Sequence, residues 1–232
     1  MKTMAKKEEH KHELLENPDA LADTLEGAED WVERNSKLVI GVSVGILLIV
    51  AGYFGFSYWK DQQNDEAQKE MFHAVYSFEH DSLNTALNGD GNHLGFIAII
   101  DDYGMTDAAK LANFYAGSAY LKKGDFDAAR LHLEDFSSND LLVQARAYCL
   151  IGDTYMEQQK FDDAASYYTK AADYKANKFF SPTYLMKAAL AYEKAQKNDK
   201  AIEAYTKVIE SYSESAEYNN ARKFKARLET NS

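Results

Sequence analysis

Six histidines, one cysteine and scattered acidic pairs are the side chains of this 232-residue chain whose types could do chemistry. His10 and His12 lie in a charged N-terminal stretch, a spacing compatible only with a weak, unspecific metal contact. His73 and His80 are seven apart, too far for the i, i+4 pair that places two imidazoles on one zinc ion; His93 and His132 stand alone. "NGDGNHLGFIAI" alternates Asn88, Asp90 and Asn92 as a calcium loop does. Such a loop needs Gly at its sixth position and Glu at its twelfth, where this chain has His93 and Ile99, so a Gly-Asp-Gly turn is expected instead. The pairs Asp101–Asp102 and Asp162–Asp163 are adjacent and point different ways on a helix, as solvated faces and caps do. A single cysteine, Cys149, allows neither an internal disulfide nor a cysteine-built zinc cage. With no phosphate loop and no nucleophile elbow, no enzyme, metal or cofactor is expected.

The elements around these residues are set by hydropathy and charge. The chain carries 26 Lys and Arg against 37 Asp and Glu, a formal net charge of −11. Nucleic-acid binding needs phosphate-neutralising cations, so this balance argues against it. The residues after Lys60 are enough for one core-burying domain.

"KLVIGVSVGILLIVAGYFGFSYWK" has no charge between Lys37 and Lys60. Leu38–Tyr58 would form a helix of about 31 Å, close to the hydrocarbon thickness of a bilayer. Trp31 precedes the run, and Tyr58 and Trp59 close it, where amphipathic rings favour the headgroup layer. No small-residue cleavage site follows, as a signal peptide would require. A transmembrane helix over 38–59 is therefore expected in preference to a buried core helix. Gly41, Gly45, Gly52 and Gly55 are spaced 4, 7 and 3 apart and share one helix face. Small residues there allow close approach of a second helix, from a partner or another copy, although glycine is common in spans generally. Arg34 and Lys37 on one side balance Lys60 and Lys69 on the other. A short unprocessed N-terminus is most often left inside, so a cytoplasmic N-terminus and an external C-terminal domain are expected.

Residues 1–16 read as a disordered charged tail. Residues 17–37 read as a short amphipathic helix, with Asn17 as N-cap, Pro18 at the first position and a stripe of Leu21, Leu25, Ala28 and Val32. Its acidic remainder disfavours anionic headgroups, leaving a cytoplasmic docking helix or a marginal pre-membrane helix as alternatives. Beyond the span, no Pro or Gly intervenes from Ser57 to Asp81. Ala67, Met71, Val75 and Phe78 continue a helical stripe, so the helix is expected to run on through 60–81.

From Asn113 three segments align: "NFYAGSAYLKKGDFDAARLHLEDF", "YCLIGDTYMEQQKFDDAASYYTKA" and "LMKAALAYEKAQKNDKAIEAYTKV". Gly117, Gly152 and Ala189 are each followed three residues on by Tyr120, Tyr155 and Tyr192. Nine further come Ala129, Ala164 and Ala201, and four beyond those Leu133, Tyr168 and Tyr205. A small residue where helix A meets its neighbour, a tyrosine wedge and an alanine at the crossing on helix B describe a repeated helical hairpin. The pattern resembles the tetratricopeptide repeat over about residues 107–212. Gly124, Phe126 and Phe161 match its turn, whereas the third copy has Asn198 in place of the turn aromatic. The resemblance implies an all-α fold: one transmembrane helix, then an α-solenoid of about three hairpins within residues 82–232. Ser215 to Leu228 would form the C-terminal cap, and residues 82–104 an imperfect hairpin closing the other end.

The same resemblance implies a concave groove lined by the A helices. Its positions here are Phe114, Ser118 and Leu121, then Arg146, Cys149, Asp153 and Met156, then Thr183, Met186, Leu190 and Glu193. Each could equally be inter-repeat core. Cytosolic cochaperones with this repeat clamp a peptide carboxylate with Lys and Asn, and the matching positions here lack both. Asp153 would repel a carboxylate, and the Met and Phe positions suit apolar or aromatic segments.

An acidic N-terminal segment, a span ending in Tyr-Trp, a continuing helix and a short repeat array together resemble the YfgM-like ancillary subunits of the bacterial SecYEG translocon, in a Bacteroidota-type member. That resemblance implies a single-pass inner-membrane protein with a periplasmic repeat domain. Its implied partners are the channel, a PpiD-like periplasmic chaperone, and nascent or unfolded secreted proteins. A membrane-anchored scaffold for envelope assembly or division is the alternative within the interaction class, and a cryptic hydrolase the alternative outside it.

Overall fold

The computed structural model of the chain describes residues 18–230. The expected tail over residues 1–16, with His10 and His12, and the Asn17 cap lie outside the described residues. These form helices α1 (Pro18–Arg34), α2 (Ser36–Glu79), α3 (Leu83–Asn88), α4 (Phe96–Asp102), α5 (Asp107–Lys123) and α6 (Phe126–Asp135). They continue with α7 (Leu141–Glu157), α8 (Phe161–Asp173), α9 (Ser181–Lys194), α10 (Asn198–Ser211) and α11 (Tyr218–Thr230). No strand occurs among the described residues. The chain divides between Trp59 and Lys60 into two units.

The first unit contains α1 and the apolar part of α2. Asn35 separates the two helices and donates its side-chain amide to the Trp31 carbonyl at 2.8 Å. Leu25, Trp31 and Val32 of α1 are exposed, as are the large apolar residues of α2 from Leu38 to Trp59 apart from the partly covered Val39. α2 is long and apolar enough to cross a membrane, and none of its most apolar 18-residue window is buried. A Cβ placed at Gly41, Gly45, Gly52 or Gly55 would meet no atom within 4 Å.

The second unit is a succession of hairpins in which each helix packs mainly on its sequence neighbours. α5–α6, α7–α8 and α9–α10 are the three aligned segments, and α11 closes the array with Ala221 and Leu228 buried. The aligned small residues make the close crossings possible. A Cβ on Gly117 would stand 2.6 Å from Leu133 Cγ and 2.9 Å from the Ala129 carbonyl, and one on Gly152 would stand 2.6 Å from the Tyr168 ring. Ala129, Ala164 and Ala201 have no exposed surface, and Leu133, Tyr168 and Tyr205 are buried beside them.

Each hairpin turns in the same way. Gly124, Gln159 and Gln196 adopt positive φ of 81°, 59° and 60°. The next residue's N–H returns to the tyrosine carbonyl five back: Asp125 to Tyr120, Lys160 to Tyr155 and Lys197 to Tyr192, at 3.0, 2.9 and 2.9 Å. This is the Schellman geometry, which satisfies carbonyls left open at a helix C-terminus. The aligned tyrosines thus mark the helix end as well as the packing layer. Helix starts are capped by Thr106, Asp125 and Asp140, whose side chains accept from N–H groups of α5, α6 and α7.

At the N-terminal end the segment 82–104, expected as an imperfect capping hairpin, forms α3 and α4 and is joined there by α2. Ala67, Met71 and Ala74 of α2 are buried in one cluster with Ala86, Leu87, Phe96, Ile99 and the alanines of α5. α2 ends in the same turn as the repeats: Asp81 has φ 60° and Ser82 N–H returns to the Ser77 carbonyl at 2.9 Å. Its second half therefore takes the place of helix A in a further, irregular hairpin, with α3 and α4 opposite. The physical cause is the i, i+4, i+7 apolar stripe of α2, which finds its cover in α5. Gly95 makes the return from α3 to α4 possible, since a Cβ there would stand 2.3 Å from the Leu87 carbonyl.

Candidate functional site

Four of the groove positions expected from sequence meet in one cleft of about 670 Å³: Leu121 of α5, Asp153 and Met156 of α7, and Leu190 of α9. Lys122, Phe126, Tyr168 and Lys187 complete much of its wall. None of these four additions was expected as groove. Tyr168 belongs to the aligned B-helix positions, and Lys187 follows Met186 directly; the pairing that brings them here spans a whole repeat.

The chemistry of the cleft centres on Asp153. Its Oδ1 accepts from the Tyr168 hydroxyl at 2.6 Å and from Lys187 Nζ at 2.6 Å. Lys187 also lies over the Tyr168 ring, 5.2 Å from its centroid. Burial and the Asp153 carboxylate both hold the Tyr168 hydroxyl well above the usual phenol range. Asp153 is thus a neutralised member of a triad, which corrects the expectation that it stands as a free negative charge repelling carboxylates. One repeat later the arrangement recurs. Tyr205 donates to Glu193 at 2.7 Å, and Arg227 Nη2 reaches the other Glu193 oxygen at 2.5 Å. In both triads a B-helix tyrosine binds an A-helix carboxylate, and the cation comes from 34 residues downstream.

The remaining expected positions are dispersed. Cys149 is fully buried in the core with Ala145, Ala164 and Leu185, so it lines no groove. Burial pushes its thiol up to about 11, with Asp153 adding to the effect. Phe114 packs on Phe136, with ring centroids 5.4 Å apart. Ser118 donates to the carbonyl of Phe114. Met186 is half-buried against the core of α7 to α11. Thr183 donates to Glu217 at 2.6 Å, and Arg146 is exposed.

The histidines hold local structure. His73 and His93 stack with centroids 3.6 Å apart. His132 bonds Asn113 at 2.9 Å through Nδ1 and stacks on Tyr120. In the glycine-rich turn, Asp90 accepts from the N–H groups of Asn92 and His93, which hold its carboxyl at about 2. Among the described residues no group of three His, Cys, Asp or Glu is placed to hold a metal ion.

An interaction scaffold built from helical hairpins is the class of protein this architecture defines. A family profile described as a tetratricopeptide repeat-like domain matches residues 29–229, and the chain belongs to that family. No curated protein matches it. Repeat domains of this kind are in general non-catalytic and bind other proteins, and the apolar stretch of α2 is compatible with a single membrane anchor.

Proposed function

We propose that this chain is a single-pass inner-membrane subunit of the YfgM-like type, ancillary to the SecYEG translocon. Its N-terminus faces the cytoplasm and its repeat domain the periplasm. There it binds the channel and a PpiD-like chaperone and assists newly translocated proteins. The observation that carries the proposal is the extent of the family match. It begins at residue 29, before the apolar stretch, and runs on through the last repeat helix. Span and repeats therefore belong to one family unit, as expected of a scaffold that works at a membrane. The four glycines, with open space beside each, support docking of the span against a neighbouring helix. The groove around Leu121, Met156 and Leu190 supports capture of apolar segments.

Affinity purification of the full chain in mild detergent, followed by mass spectrometry, tests this. Recovery of the channel and a periplasmic chaperone is the expected result, and Gly45→Ile is expected to reduce recovery of the channel several-fold. Recovery of wall-synthesis or outer-membrane machinery instead would replace the translocon role with one in envelope assembly.

A further inference from the structure

The two long edges of the repeat unit differ in chemistry. α5 runs parallel to the second half of α2, because Asn64 accepts from the Ala108 N–H at 3.0 Å at one end and Asp81 pairs with Lys122 at 2.9 Å at the other. The turns between successive hairpins are bonded side by side along the Asn64 end. Asp107 and Lys110 share a cleft with Ser138 and Asn139. The Tyr174 hydroxyl donates to the Ser138 carbonyl at 3.0 Å, and Thr183 to Glu217 at 2.6 Å. The turns within hairpins form the opposite edge, joined by Asp81–Lys122 and by Lys197–Asp162 at 2.7 Å.

On the turn tips themselves, large apolar side chains stand exposed along the first edge: Met105, Leu141, Leu142, Phe179 and Phe180, with Phe179 at 72% and Met105 at 57%. Others exposed in this unit, such as Phe72, Tyr76, Leu131 and Leu190, lie within helices. The opposite edge presents Lys123, Gly124, Asp125, Gln159 and Lys160. Asn177 holds the Phe179–Phe180 pair outward by accepting from both N–H groups at 3.0 Å. The apolar edge is also where the chain enters the repeat unit, at Lys60. In the sequence, Asn64 follows only five residues after Trp59, which closes the apolar stretch.

We infer that this edge rests on the bilayer surface, with Phe179, Phe180, Leu141, Leu142 and Met105 seated among the lipid headgroups. Apolar tips beside Lys175 and Lys178 suit that layer, where aromatic rings and snorkelling lysines are favoured. Three acidic groups of the edge are engaged locally, Asp107 with Lys110, Asp140 as the cap of α7 and Glu217 with Thr183, while Asp101, Asp102, Asp135 and Glu214 are exposed and disfavour an anionic surface. The contact is therefore one of apolar insertion, and zwitterionic lipid suffices for it. A lipid surface fits this edge because the apolar residues stand singly and in pairs on three successive turn tips, beside clefts lined mainly by polar side chains. The proposal rests on the anchoring half of the proposed function and not on the translocon half.

The test uses the full chain in phosphatidylcholine nanodiscs, with bimane attached to Phe179→Cys, to Gln159→Cys on the opposite edge, and to Val44→Cys within the span. Cys149 is buried and takes no label in the folded protein. Brominated acyl chains are expected to quench the label at 179 several-fold more than that at 159, and iodide in the buffer to do the reverse. A label at 179 open to iodide and insensitive to bromine would overturn the inference. So would protection at 179 from both quenchers, which would indicate a protein covering the edge, a second copy if protection grew with protein concentration. Absence of lipid quenching at 44 would remove the anchor itself, and this inference with it.

Discussion

Asp153 and Tyr168 show how a single residue does two jobs in this array. The Tyr168 ring fills the space that a side chain at Gly152 would need, and its hydroxyl is pinned by Asp153, so the ring cannot move aside. Gly152→Ala is therefore expected to destabilise by about 1–3 kcal/mol although alanine is the better helix former. Gly117→Ala should behave likewise, because its Cβ meets the Ala129 backbone as well as Leu133. Urea midpoints followed by circular dichroism check both. The buried hydroxyls also set an alkaline limit. Tyr168 and Tyr205 have raised pKa values in the folded chain, first through burial and then through their carboxylate partners. Their contribution is fully present below the ordinary phenol pKa of about 10. Above it the unfolded chain releases protons that the folded chain retains, so stability falls as pH rises. Tyr168→Phe and Tyr205→Phe should flatten that fall in urea titrations at pH 9, 10 and 11; an unchanged slope would assign it to other groups.

At the scale of the element, the repeated turn is the unit of design. Gly124, Gln159 and Gln196 occupy the same left-handed position, which costs a non-glycine residue about 1–2 kcal/mol. Only the first hairpin has the residue that avoids this cost. Gln159→Gly and Gln196→Gly are each expected to stabilise by up to about 1 kcal/mol, the gain being reduced by the greater freedom of glycine in the unfolded chain. Thermal melting of the single and double variants measures this. A loss of stability in both would mean that the glutamine side chains contribute more than the backbone strain takes away. The long helix α2 is a different kind of element. Its sequence changes from uniformly apolar to striped near Lys60, and the striped half is recruited as the first helix of the repeat array.

The whole molecule follows from that recruitment. In a solenoid each hairpin is stabilised by its neighbours, and the ends need cover. Residues 60–79 cover Leu87, Phe96 and Ile99, each worth about 1.5–3 kcal/mol when buried. A chain beginning at Lys60 is expected to unfold cooperatively in urea, whereas one beginning at Ser82 should expose this cluster, bind hydrophobic dyes and be cut by protease in the segment before α5. Equal protease resistance of the two would show that α3 and α4 close the array unaided. Folding of the Lys60 chain would also permit its groove and its apolar edge to be studied apart from the span.

The amino-acid order alone determined the helix class, the apolar stretch and the register of the three hairpins. Those features are written in short-range periodicities: an uninterrupted uncharged run, and small, aromatic and alanine positions recurring at offsets of 35 and 37 residues. The groove was legible only in part by the same means. Leu121, Asp153, Met156 and Leu190 do share a cleft, but Cys149, from the same helix face as Asp153, turns into the core. Only the tertiary structure decided that Asp153 is neutralised by Lys187, that Glu193 is held by Arg227, and that the striped half of α2 completes a further hairpin. Each depends on contacts between residues some 25 to 45 positions apart. Local pattern specifies which face of a helix is apolar, while the stacking of one hairpin on the next specifies which neighbour that face meets.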